Sequence, residues 1–375
     1  MFDHLKRKAE VVFLLILLFT LVLSGCYPKQ KEITGEEDEK DVPKKEQKEK
    51  SLLPPIKKIV GEFVQIAGWL DDDKIAYISK TEKGYQLYSY NLFAGTYTKL
   101  FQSKSEMVNV KISPNLNQIL IYTAASDDTG EITIIDKNGN ALFTTSLASY
   151  DADFLWNPFN ENELLVSAFT DEWKSKVSLL SIHQKQLLPL KNINPFSQWL
   201  NKEELAYLDW EKDDASFEAP IKAKNVQTNH EVDYNLSNVF SMHVFKEAVV
   251  AISTDSNDID TAVYSFYQHD FRKNSSFSAP HLSKYTDWLI PYFDLHNTSF
   301  YTFIPKESGS ADTYNSGFDF MSINTKTGTK KQVVKQPLEN QPIQLSPKSD
   351  WCLYGYYLEQ IINVKTGEIF SLTSV

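Results

Sequence analysis

The chain has 375 residues, 42% hydrophobic and 13% aromatic, with 49 acidic side chains against 38 basic ones and a formal net charge of −11. That supplies a large core. The acidic balance, without any basic stripe to displace counterions from phosphates, excludes nucleic acid as a partner and disfavours a polybasic grip on anionic lipid.

Residues 1–25 have the three parts of an export signal: a basic start at Lys6, Arg7 and Lys8, an apolar run from Val11 to Leu23, and the small pair Ser24 and Gly25. The run falls short of the roughly 18 to 20 apolar residues that a membrane span needs. Leu23-Ser24-Gly25-Cys26 resembles the bacterial lipoprotein recognition sequence at all four positions. The resemblance implies a diacylglyceryl group on the Cys26 thiol, cleavage before that residue and acylation of the new amino group. Two or more acyl chains hold a protein stably on a bilayer, whereas one does so only marginally. The expected location is therefore the extracytoplasmic side of the cell membrane, with palmitate-type chains as the anchor. Cys352 is the only other cysteine and sits in the apolar run Trp351-Cys352-Leu353-Tyr354, where a buried, inert thiol is expected.

Residues 26–60 form the next segment. Between Tyr27 and Pro55, seven Lys and eight Asp or Glu alternate with little apolar surface, the composition of a disordered charged linker. At about 5 to 6 Å times the square root of its length, it reaches about 30 Å.

Residues 61–375 repeat. Gly68-Trp69-Leu70 opens one unit, Ile112-Ser113-Pro114 the next, then Trp156-Asn157-Pro158 and Trp199-Leu200-Asn201, with less regular openings at Met242-His243-Val244, Tyr292-Phe293-Asp294 and Leu345-Ser346-Pro347. A period of 43 to 44 residues, built of short apolar strands and turn residues, predicts an all-β propeller of four-stranded blades. Seven units are counted, with six as the alternative. The second strand of each unit reads as continuously apolar, as in Glu163-Leu164-Leu165-Val166 and Ala248-Val249-Val250-Ala251-Ile252, which suits a strand covered on both faces. The link between third and fourth strands recurs as Asn225-Val226-Gln227-Thr228-Asn229, Asn324-Thr325-Lys326-Thr327-Gly328 and Asn363-Val364-Lys365-Thr366-Gly367, with Asn or Gly where a short loop turns left-handed.

The Ser-Pro and Asn-Pro openings resemble the repeat of TolB-like propellers. With the lipobox and charged spacer, the whole chain is similar to the YqgU-like propeller lipoproteins of Gram-positive bacteria. That resemblance implies location and fold, usually six blades, and no assigned activity.

The sequence carries no catalytic residues and no cofactor site that its motifs would mark. There is no Gly-x-Ser-x-Gly and no phosphate-cradling glycine loop; His230-Glu231 begins like a zinc protease motif, but Tyr234 stands where the second histidine belongs. Asp136, Asn138 and Asn140 have calcium-loop spacing, yet Ala141 and Leu147 occupy the sixth and twelfth positions, so a hairpin is expected and no metal site is assigned. What remains is one face. In an up-and-down meander the loops between second and third strands emerge together, and they carry Asp127, Asp128, Asp171, Glu172, Trp173, Trp210, Asp213, Asp214, Asp255, Asp258, Asp260, Asp312 and Tyr314. Two functions are compatible with such a chain. One is a binding or interaction module whose acidic, aromatic face engages an envelope protein or polymer; the other is an enzyme acting on such a polymer in the propeller funnel.

Overall fold

The computed structural model describes residues 52, 55, 56, 59–210, 217–284 and 287–373. Cys26, the signal segment, most of the spacer, and Asp213 and Asp214 lie outside the described residues. Among those described there is no helix. Seven four-stranded antiparallel sheets follow one another in chain order, each paired first to second, second to third and third to fourth strand. These blades span residues 62–103, 107–148, 151–189, 198–233, 241–280, 293–332 and 343–371. Their first strands are Glu62–Trp69, Met107–Ile112, Asp151–Trp156, Gln198–Trp199, Ser241–Val244, Phe293–His296 and Ile343–Leu345, one at each opening read from the sequence.

The apolar material is divided among seven clusters, one at each junction between neighbouring blades, and this explains the continuously apolar second strands. Leu164 and Val166 face blade 2, whereas Leu165 between them faces blade 4. Val249 and Ala251 join the blade 4 side, and Val250 and Ile252 the blade 6 side. The two-residue period of a strand sends alternate side chains into different junctions, so both must be apolar. Blades 7 and 1 share the last cluster, where Leu353 and Ile361 meet Trp69, Ile75 and Tyr77. Seven junctions for seven blades make a closed ring.

Inner strands are clasped across the junctions. Trp69, Trp156 and Trp199 are 1%, 5% and 1% exposed. Each donates its indole N–H to a carbonyl on the inner strand of the preceding blade, respectively Gln344 at 3.0 Å, Lys111 at 3.2 Å and Leu155 at 3.3 Å. A buried tryptophan needs such a partner for its one polar atom. At two of the junctions without tryptophan another side chain takes over. The Gln198 amide donates to Met242 O and accepts from Val244 N, both at 2.7 Å, and Leu345 N donates to Asp294 Oδ2 at 2.7 Å.

The recurrent turns close as their residues predict. Gly95, Gly328 and Gly367 take φ of +67°, +72° and +76°, and Asn229 takes +57°. The asparagine that opens each turn caps it by accepting backbone N–H groups, as Asn225 does from Gln227 and Thr228. Asp136 does the same, accepting from the backbone N–H of Asn138 and Asn140, which makes its calcium-like spacing a hairpin cap.

Two features go beyond the expected plan. The folded unit reaches back into the spacer: Ile56 is buried, donates its N–H to Leu372 O at 2.7 Å, and packs with Leu52, Ile59 and Val60 at the junction of blades 7 and 1. A small extra sheet of Leu282–Lys284, Asp287–Leu289 and Gly309–Ser310 sits between the connection from blade 5 to 6 and the second-to-third-strand loop of blade 6.

Candidate functional site

The loops between second and third strands share one face with the connections from each blade to the next. Several of the acidic residues there hold their own turns together. Asp128 accepts hydrogen bonds from the Ser126 and Thr129 hydroxyls, and Asp258 from the Thr261 hydroxyl and Asp260 N; these donors hold both carboxyl groups below the usual aspartate range. Asp171 accepts from Glu172 N, Asp255 from Asn257 N, and Glu172 pairs with Lys174. Asp127, Asp260 and Asp312 are exposed. Tyr314 is half-buried, packs on Phe318, and donates its hydroxyl to Gly317 O, so its role is to fix its own loop.

The aromatic side chains are the unusual part of this face. Trp173 is 68% exposed and Trp210 45%. Three more that no sequence pattern singled out, Tyr150, Phe196 and Phe217, lie on the same face in the connections and loops of blades 2 to 4 at 59%, 75% and 53%. Phe169, at the buried end of its strand, is the base of two of them: its ring lies 5.9 Å from Phe196 in a stacked arrangement and 6.2 Å from Trp173. Trp173 and Phe196 are held by fixed turns. Trp173 occupies a left-handed position (φ +60°) and donates its N–H to Thr170 O; Phe196 N donates to Asn194 Oδ1, and the Ser167 hydroxyl ties Pro195 O to the blade. The signal available in the sequence was Asn194-Pro195-Phe196, an apolar ring directly after a turn.

The second feature is the central channel. A cavity of about 1010 Å³ is bounded by the inner strands, including Trp69, Phe154, Trp156, Phe293 and Ile343, and by the turns that follow them, and so extends toward the face opposite the acidic loops. Its walls hold one carboxylate on an inner strand, Asp294. Both of its oxygens accept backbone N–H groups, from Leu295 at 2.8 Å and Leu345 at 2.7 Å, yet burial pushes its pKa up to about 6. On the neighbouring inner strand burial lowers His243 to about 4; its Nε2 lies 3.0 Å from the Ser241 hydroxyl and its ring meets Phe293 edge-on at 4.4 Å. Both groups are tied to strands and to the adjoining blade. Among the described residues no three His, Cys, Asp or Glu side chains gather to hold a metal ion. Cys352 is fully buried, its thiol pushed well above the ordinary cysteine pKa by desolvation, in keeping with an inert core residue.

Comparison with known proteins follows the architecture. The uncharacterized lipoprotein YqgU of Bacillus subtilis (strain 168) is 26% identical over 370 residues, spanning 97% of this chain and 96% of its own. The crystal structure of the uncharacterized protein lmo1340 from Listeria monocytogenes EGD-e superposes with a TM-score of 0.76 at 21% identity, covering 84% of this chain and 98% of that one. The β-propeller domain of the trilobed protease from Pyrococcus furiosus, described as having an open velcro topology, gives 0.54 at 11% identity, with 84% and 99% covered. The family profile described as the YqgU-like 6-bladed beta propeller domain matches residues 91–355. That footprint holds five whole blades, the fourth strand of blade 1 and the first two strands of blade 7, against the seven four-stranded sheets present here. On a match over well more than half of its length, the chain belongs to the YqgU-like β-propeller family.

Proposed function

We propose that this protein is a binding module held by lipid on Cys26 at the extracytoplasmic side of the cell membrane, and that the loop face of its propeller engages a protein or polymer of the envelope. One observation carries the reading: five exposed aromatic side chains, Tyr150, Trp173, Phe196, Trp210 and Phe217, stand on one face of blades 2 to 4. Scattered apolar exposure is ordinary, but five large exposed rings on one face, two of them set in pre-formed turns, mark an interaction surface. Catalysis in the funnel draws less support, because Asp294 acts there as a clasp to the next blade.

A photo-crosslinking amino acid placed at position 173 or 196 in intact cells tests this, with Glu161, on the opposite face of the same blade, as control. Discrete adducts are expected from 173 and 196 and none from 161. Equal labelling from all three positions, or none, overturns the reading.

A further inference from the structure

From the same face, and resting on its being a binding surface, we infer the chemistry of the partner: a lysine- or arginine-rich polypeptide segment, laid across the aromatic rings of blades 3 and 4 and bordered by the carboxylates of blades 2, 3 and 5. The first argument is charge. The second-to-third-strand loops of those three blades and the strand ends beside them carry Asp127, Asp128, Asp171, Glu172, Asp255, Asp258 and Asp260 against two lysines, Lys174 and Lys176, and the chain as a whole stands at −11. Such a surface repels anionic polymers and attracts cationic ones over about a Debye length, roughly 10 Å at 0.1 M salt. The second argument is the form of the apolar surface. It is made of rings in these blades, not a continuous aliphatic patch, and Trp173 and Phe196 are anchored through Phe169 and by their turns. Ammonium and guanidinium groups bind over exposed ring faces, tryptophan being the best, and their stems cover the ring edges. Because turns already fix Trp173 and Phe196, little ordering cost remains for these two rings on binding.

The test uses the full-length lipidated chain in detergent micelles, with fluorescently labelled deca-arginine as the probe and a neutral chitin hexasaccharide as comparison. Deca-arginine binding is expected to weaken at least tenfold between about 50 and 300 mM salt. At fixed salt it should weaken about tenfold in the double variant Trp173→Ala/Phe196→Ala and in Asp171→Asn/Glu172→Gln, while Glu161→Gln binds as the parent does. All four substituted side chains on the face are exposed, and unchanged thermal unfolding verifies the fold of each variant. Equal affinity in parent and aromatic variants reduces the effect to bulk charge and overturns the inference. So does salt-independent binding of the hexasaccharide that is lost with Trp173, which assigns the face to glycans. If deca-arginine fails while crosslinks at 173 and 196 persist, the cationic chemistry is wrong and the binding module stands; if both fail, both readings fall.

Discussion

Asp294 and His243 make opposite contributions to the pH dependence of stability, and removing one exposes the other. Between its ordinary value of 3.8 and about 6, Asp294 is protonated in the native state and ionised in the unfolded one, so native stability falls as pH rises through this window. His243 does the reverse: between 6.5 and about 4 the unfolded chain takes up a proton that the buried ring refuses, so stability falls as pH drops. At about 1.4 kcal/mol per pH unit of displacement, each effect is roughly 3 kcal/mol, and the two offset each other from about pH 4 to 6. Asp294→Asn is a near-isosteric stand-in for the protonated acid whose one carbonyl oxygen can still accept the Leu345 N–H, while its NH2 replaces the oxygen that accepts from Leu295 N, a pH-independent loss of about 1 kcal/mol. Relative to the parent it should start about 1 kcal/mol lower at pH 4 and rise by roughly 2 to 3 kcal/mol by pH 7. Urea midpoints read by tryptophan fluorescence at half-unit pH intervals give the difference profile, in which the remaining carboxylates cancel. Parallel parent and variant profiles would show that Asp294 is solvated in the native ring and refute the argument.

The indole clasps should be separable from packing: Trp199→Phe keeps a ring at the blade 3–4 junction but loses the N–H to Leu155 O, costing about 1 kcal/mol in denaturant unfolding, whereas Trp199→Ala costs about 3 to 5. Equal losses would mean the hydrogen bond is immaterial. Ile56→Asp places a charge in the junction between the last and first blades and should lower stability by several kcal/mol. Proteolysis near residue 56 at the parental rate would contradict the packing of that segment. Cys26→Ala should abolish incorporation of labelled palmitate and leave an uncut precursor or release the protein to the medium; unchanged labelling disproves the anchor.

Much of the ring was legible because its strands obey local rules. Leu164, Leu165 and Val166 are all apolar since each junction takes alternate side chains, and the turns ending in Gly328 and Gly367 need a residue that accepts positive φ. The small sheet was not legible, since Leu282–Lys284 pairs in parallel with Gly309–Ser310 across 26 residues, and strands of two or three residues leave no periodicity. Acidic loops were read as a surface, but Asp128 and Asp258 are turn caps, and a carboxylate beside Ser or Thr fits either role. The exposed rings Phe196 and Phe217 were missed for a related reason: a single aromatic in a loop looks like core until its neighbours in space are known.

The way the ring closes determines which contacts matter most at the seam. All four strands of blade 1 come from the start of the domain and all four of blade 7 from its end, so among the described residues no strand exchanged between the two staples them. The ion pair of Lys348 with Asp72 is exposed on the lysine side and, screened by water, contributes at most about 1 kcal/mol. The seam therefore depends on buried groups. Trp69 reaches Gln344 O, Ile66 N donates to Tyr357 O, and Ile56 hydrogen-bonds beside the outermost strand of blade 7. Gly68 fits the same requirement, since at its φ of +135° an added Cβ would stand 2.6 Å from the Gln344 side chain across the junction. Leu52, Ile56, Ile59 and Val60 thus do more than connect. They supply apolar surface and a backbone donor where a seven-bladed ring built from contiguous blades is otherwise weakest, which accounts for Leu52, Ile56, Ile59 and Val60 at the end of a spacer that is elsewhere charged.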